Sequence, residues 1–92
     1  MKKPAVVTFS GDLDIYAVEN VRAVLAAIEG PVIIDLTDVP FVDSSALTEF
    51  IRLRKRVGDH VTLVVPSANI RRALTIVGFD TLFRVVRRRE DA

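Results

Sequence analysis

The stretch richest in chemistry-bearing residues is Thr37-Asp38-Val39-Pro40-Phe41-Val42-Asp43-Ser44-Ser45, where paired serine hydroxyls stand beside a carboxylate. An apolar run precedes it and an amphipathic run follows, so these groups fall where a helix begins. Two chemistries fit that place. Asp and Ser at a helix start accept hydrogen bonds from the free N–H groups of the first turn, which is ordinary capping. A hydroxyl there also suits a regulatory kinase, because unpaired N–H groups and the positive helix end would receive a phosphate. Phosphate on Ser45 would add roughly −1.5 to −2 charge beside Asp43 and change what the surface binds. Such a switch needs no catalytic machinery in this chain.

The remaining candidates offer less. Ser10-Gly11-Asp12-Leu13-Asp14 carries two carboxylates but lacks the glycine pattern and lysine of a phosphate-cradling loop. Asp12, Asp14 and Asp43 without a nucleophile–base pair make a poor acid–base enzyme in so small a domain. The sequence has no cysteine, which excludes disulfides, thiolate nucleophiles and Cys-ligated zinc. Its single histidine, His60, follows Gly58-Asp59 and reads as an exposed turn residue, so a multi-histidine metal site is excluded. Tyr16 reads as packing at a helix start or as part of a surface near Asp14. With 13 Lys+Arg against 12 Asp+Glu the net charge is +1, without the basic field of a general nucleic-acid binder. Arg84 and Arg87-Arg88-Arg89 are diluted by Glu90 and Asp91 and have no interleaved aromatics. The expectation is a binding protein that is not an enzyme and uses no cofactor.

The elements that position these residues follow from changes of apolar period. Ala5 to Phe9 reads as a strand ended by Ser10-Gly11-Asp12. Val18, Val21, Leu25 and Ile28 fall at helical spacing from Val18 to Glu29, and Gly30-Pro31 ends that helix. Val32-Ile33-Ile34 enters a strand without alternation, as expected when both sheet faces are covered. A second helix runs from about Ser45 to Gly58. Ala46, Phe50, Leu53 and Val57 form its inner stripe, widened by Leu47 and Ile51, with Thr48, Glu49, Arg52, Lys55 and Arg56 outward. Val61 to Val65 is a further strand. Ser67 caps a third helix with Ile70, Ala73, Leu74 and Val77 inward, and Gly78-Phe79 ends it in a left-handed turn. Leu82 to Val86 is the last strand, and residues 87–92 read as a solvated tail. The order β-α-β-α-β-α-β predicts one small α/β domain over residues 1–92, with a mixed, mostly parallel sheet and helices packed against it. The longest apolar run, Ala23 to Ile28, is too short to span a bilayer. Met1-Lys2-Lys3 is not followed by the apolar stretch of a signal peptide, so a reduced cytoplasmic setting is expected.

The segment Asp35-Leu36-Thr37-Asp38-Val39-Pro40-Phe41-Val42-Asp43-Ser44-Ser45-Ala46-Leu47 resembles the signature of STAS domains, particularly bacterial anti-sigma factor antagonists. In that family an Asp-Ser-Ser-Gly-Leu element opens the second helix and its second serine is phosphorylated by a partner kinase. Ser10-Gly11-Asp12-Leu13-Asp14 is similar to the family's Gly-Glu-Leu-Asp element. The stretch from Pro66 through Arg72, Leu74, Gly78, Phe79 and Leu82-Phe83 is similar to its later helix and strand. The resemblance implies that Ser45 is the phospho-acceptor, with Asp14, Asp43, Ser44, Ala46 and Thr48 on the partner-binding surface. It implies binding of an ATP-dependent anti-sigma factor serine kinase when unphosphorylated, release on phosphorylation, and restoration by a phosphoserine phosphatase. The alternative on the same fold is a subunit bracing the ATPase of a lipid or solute ABC transporter. Ala46 stands where the family has glycine, which puts a methyl group where the kinase comes close. Ala17 stands where it has a capping side chain, which leaves the first helix start ragged. Against longer members the chain reads as a minimal version without the extra edge strand and most of the terminal helix, and an exposed edge favours a homodimer.

Overall fold

The computed structural model describes residues 3–92, so Met1 and Lys2, part of the segment read for a signal peptide, lie outside the described residues. Strands β1 (Ala5–Ser10), β2 (Val32–Asp38), β3 (Val61–Val64) and β4 (Arg84–Val86) form one sheet in that order. All three neighbouring pairs are parallel. Between the strands run α1 (Val18–Ala26), α2 (Ser44–Val57), α3 (Ala68–Ile76) and the single turn α4 (Phe79–Leu82). Parallel neighbours need crossover connections, and right-handed crossovers that always step the same way leave their helices on one side of the sheet.

That side holds the core. Phe9, Val32, Ile34, Leu36, Val61, Leu63 and Val65 are buried against Val21, Leu25, Ala46, Phe50 and Leu53. The second face presents two in-register rows, Val6-Ile33-Thr62-Arg84 and Thr8-Asp35-Val64-Val86. Ile33 is only half-buried, so β2 is not covered on both faces as its unbroken apolar run suggested. A short 3-10 turn, Arg89–Asp91, covers the second row. There the Arg89 guanidinium donates to Asp35 Oδ2 at 3.3 Å, and Arg84 donates to the Asp91 carbonyl at 2.8 Å. Residues 87–92 are exposed, yet they are tied to the sheet rather than free in solvent.

Helix boundaries follow local chemistry. Ala17 occupies the α1 N-cap with no side-chain bond, as its methyl group dictates. α1 stops at Ala26, short of Glu29, and the Leu25 and Ile28 carbonyls accept from the Arg56 guanidinium of α2 at 2.7 and 3.0 Å. Ser67 caps α3 by accepting from the Ile70 N–H at 3.3 Å. Only Leu74 of α3 is fully buried; Ala73 and Val77, read from the sequence as inward, are exposed. The helix covers just the margin of a narrow sheet, so one ridge suffices. Gly78 then takes φ 81°, a left-handed conformation that favours glycine. α4 occupies Leu82, which displaces the start of the last strand to Arg84.

Candidate functional site

The site lies at the carboxyl ends of β1 and β2, where ligand and partner surfaces of open α/β sheets tend to form. Two loops are joined there. Leu13 forms an isolated parallel bridge with Val42, its N–H donating to the Phe41 carbonyl at 2.9 Å. The Asp43 N–H donates to the Leu13 carbonyl at 3.0 Å. This stitching holds the Asp12–Tyr16 loop beside the start of α2.

Asp43 is the N-cap of α2. Its Oδ1 accepts from the Ser45 N–H at 2.9 Å, from the Ala46 N–H at 3.3 Å and from the Ser45 hydroxyl. The Ser45 hydroxyl is the foremost reason that the Asp43 carboxyl is held below the usual carboxylate range. Partial burial opposes this, and the N–H groups of Ala46, Ser45 and Ile15 reinforce it. The Ile15 contact places the neighbouring Asp14, whose carboxylate accepts from the Tyr16 N–H at 3.0 Å, on the same rim. Asp14, Asp43, Ser44 and Ser45 are therefore brought together. Thr48 lies one turn further along, exposed, donating to the Ser44 carbonyl at 2.8 Å.

Two expectations need correction here. Ala46 is fully buried, so its methyl group packs into the core rather than standing at the surface. The N–H groups expected to receive a phosphate are also taken. Those of Ser45 and Ala46 go to the Asp43 side chain, and that of Leu47 goes to the Asp43 carbonyl at 3.2 Å. A phosphate on Ser45 would have to displace the Asp43 carboxylate or stand against it. The rim is flanked by apolar side chains in solvent: Tyr16 is 92% exposed, so it does not pack, and Ile15 and Phe41 are also exposed. Beside Phe41 an apolar cavity of about 250 Å³ opens between Pro40, Val42, Leu47, Ile70 and Leu74.

Glu49, assigned to the outer face of α2 from the sequence, is buried. Arg22 of α1 meets it with paired hydrogen bonds, Nε to Oε1 and Nη2 to Oε2, each 3.3 Å. This partner, by hydrogen bond and by charge, holds the Arg22 guanidinium above its usual value. The signal was present: Ala46, Glu49, Phe50 and Leu53 make a continuous helical stripe. Several other arginines are also committed to acceptors. Arg54 donates to the Leu82 carbonyl and Arg56 to the end of α1, while Arg88 sits 3.4 Å from Asp91 and 3.6 Å from Glu90. His60 lies exposed 3.7 Å from Asp59. Among the described residues no group of three or more His, Cys, Asp or Glu side chains could hold a metal ion, and no helix is long and apolar enough to cross a membrane.

The family profile of the STAS domain matches residues 2–92. The chain belongs to the STAS domain family. No curated protein matches it. Among solved structures, an anti-sigma factor antagonist from Mycobacterium paratuberculosis superposes with a TM-score of 0.70 at 25% identity, covering 94% of this chain and 79% of that one. The anti-sigma factor antagonist SpoIIAA in its unphosphorylated form gives a TM-score of 0.66 at 24% identity, covering 99% of this chain and 87% of that one. The phosphorylated form of SpoIIAA, a Bacillus cell fate determinant, gives 0.66 at 22% identity, over 94% and 85%. The small α/β domain with its parallel four-stranded sheet is thus the fold of this STAS group.

Proposed function

We propose that this STAS chain is an anti-sigma factor antagonist that works by partner switching in the cytoplasm. Unphosphorylated, it binds an anti-sigma factor that is an ATP-dependent serine kinase. The contact surface is the rim of Asp14, Asp43, Ser44, Ser45 and Thr48. In the switching step the γ-phosphoryl group of ATP passes to Ser45 Oγ, the hydroxyl proton leaves, and ADP departs with the partner. A phosphoserine phosphatase returns the hydroxyl. The chain itself supplies the acceptor and its orientation, not catalysis.

The observation that carries this reading is the Ser45 hydroxyl, held at a helix start on Asp43 and bordered by exposed apolar side chains. Phosphorylation removes the donor of that hydrogen bond and sets a dianion against the carboxylate that had accepted it. The rim must then rearrange, and charge enters a surface fitted to the neutral hydroxyl. The likeness to SpoIIAA structures in both phosphorylation states supports the reading.

Affinity capture from the native host, with partners identified by mass spectrometry, tests it. A small serine-kinase ATPase is the expected partner, and incubation with ATP should add one phosphate to the wild type and none to Ser45→Ala. Recovery of a transporter ATPase whose binding ignores Ser45 substitutions would overturn the proposal in favour of the bracing role.

A further inference from the structure

Among the described residues the sheet ends at β1. β1 hydrogen-bonds to β2 on one side, and no described residue pairs with it on the other. The Ala5 N–H points toward β2, reaching the Pro31 carbonyl at 2.9 Å. Main-chain groups alternate sides along a strand, so those of Val6, Thr8 and Ser10 point outward. Proteins normally protect such an edge with a charge, an internal proline or a bulge. Lys3 and Pro4 stand just before β1, but Ala5–Ser10 itself has none of these: its sequence is AVVTFS, and the irregularity between Thr8 and Ser10 lies on β2, where Asp35 to Asp38 spans one residue more. Val6 is 45% exposed.

We infer that the edge is an interface for a second copy of this chain, paired antiparallel across β1 about a two-fold axis at Val7. A two-fold axis normal to the sheet matches residues of the same face, and centring it on Val7 sets Val6 opposite Thr8 of the second copy. The outward N–H and C=O groups of both residues are then exchanged twice, once on each side of the axis. The Ser10 N–H meets the Pro4 carbonyl, the one position where proline offers no donor. Charge agrees with this register, since Lys3 comes beside the Gly11-Asp12 turn of the other copy and both Lys3 and Asp12 are exposed. The result is an eight-stranded sheet with the two Ser45 ends pointing in opposite directions. The pairing does not depend on the switching role of Ser45.

Sedimentation equilibrium of the full chain and of Thr8→Pro tests the association. Proline at Thr8 removes an outward N–H and spares the β1–β2 ladder. The full chain should sediment at twice its 10.2 kDa mass, and Thr8→Pro at the monomer mass. Cysteine crosslinking tests the register independently of how that variant folds, in a sequence with no native cysteine. Facing residues at Val7 form a non-hydrogen-bonded pair with Cα atoms about 4.5 Å apart, within disulfide reach. Val7→Cys should therefore give a covalent dimer under mild oxidant, whereas Val6→Cys should not. A full chain that stays monomeric at millimolar concentration overturns the inference. So does a dimer in which Val7→Cys fails to crosslink.

Discussion

Asp35 and Asp43 make the same local turn, and only one of them builds a candidate site. Each carboxylate accepts from the N–H two residues on, at 2.9 Å, and from the hydroxyl of that same residue, Thr37 or Ser45. Each carboxyl is held below the usual range. For Asp43 the hydroxyl is the main cause; for Asp35 the largest influence is burial, which raises it, and the Thr37 hydrogen bonds and the Arg89 guanidinium outweigh that. The difference lies beyond the turn. Asp35 sits inside β2 with a guanidinium from the C-terminal turn as its counter-charge. Asp43 faces the first turn of α2, at a rim bordered by exposed Ile15, Tyr16 and Phe41. A hydroxyl tied to an aspartate is a common structural device; its place at a helix start on an open rim is what makes Ser45 an acceptor candidate.

Several substitutions sharpen the contrast, beginning with the largest effect. Ser45→Asp should weaken binding to the captured kinase by about 30-fold or more, because like charge at an interface costs several kcal/mol. Thr37→Asp should leave that affinity nearly unchanged; isothermal titration of both variants separates the two turns. Equal affinities for wild type, Ser45→Ala and Ser45→Asp would remove the switch altogether. Next, Asp35→Ala should lower stability by about 1–3 kcal/mol in urea denaturation, since it removes the hydrogen bonds that Thr37 and Arg89 donate to a buried carboxylate. The smallest effect belongs to Arg89→Ala. Arg89 is half exposed, so the pair contributes at most about 1 kcal/mol, and its loss should raise the Asp35 pKa while leaving Asp43 unmoved in carboxyl NMR titrations.

Acid should act on both turns in the same direction. Their carboxyls titrate lower in the folded chain than in the unfolded one. The stability they contribute is therefore complete above the ordinary carboxylate range and is lost as pH falls through their lowered values. Denaturation midpoints measured from neutral pH downward should decline in that window. The decline should be shallower in Asp35→Asn, which has one carboxyl fewer to protonate.

Local chemistry was legible in the sequence. The strand and helix order, the Ser67 cap, the bare Ala17 start and the Gly78 turn all follow from residues within a few positions of one another. What failed depended on distant partners. Glu49 is buried because Arg22, far away in sequence, supplies its counter-charge. Ile33 is half-buried because sequential strand order leaves one sheet face without a helix, a property of topology rather than of any segment. At the site the motif located Asp43, Ser44 and Ser45. It could not reveal that the Asp43 side chain already occupies the N–H groups of Ser45 and Ala46, nor that the loop after β1 is stitched alongside.

The guanidinium of Arg56 has a consequence for how this small domain opens. α1 ends without a glycine turn, and the carbonyls of Leu25 in its last turn and of Ile28 just beyond it accept from Arg56 of α2. Arg22 and Glu49 join the same two helices at a second point. Fraying of the end of α1 therefore breaks its bonds to α2, so the pair should open as one cooperative unit whose amide protons exchange together. α3, with a single fully buried side chain, should exchange independently and sooner. The element bearing Ser45 should thus belong to the slow-opening half of the molecule, with its hydroxyl held in a fixed pose.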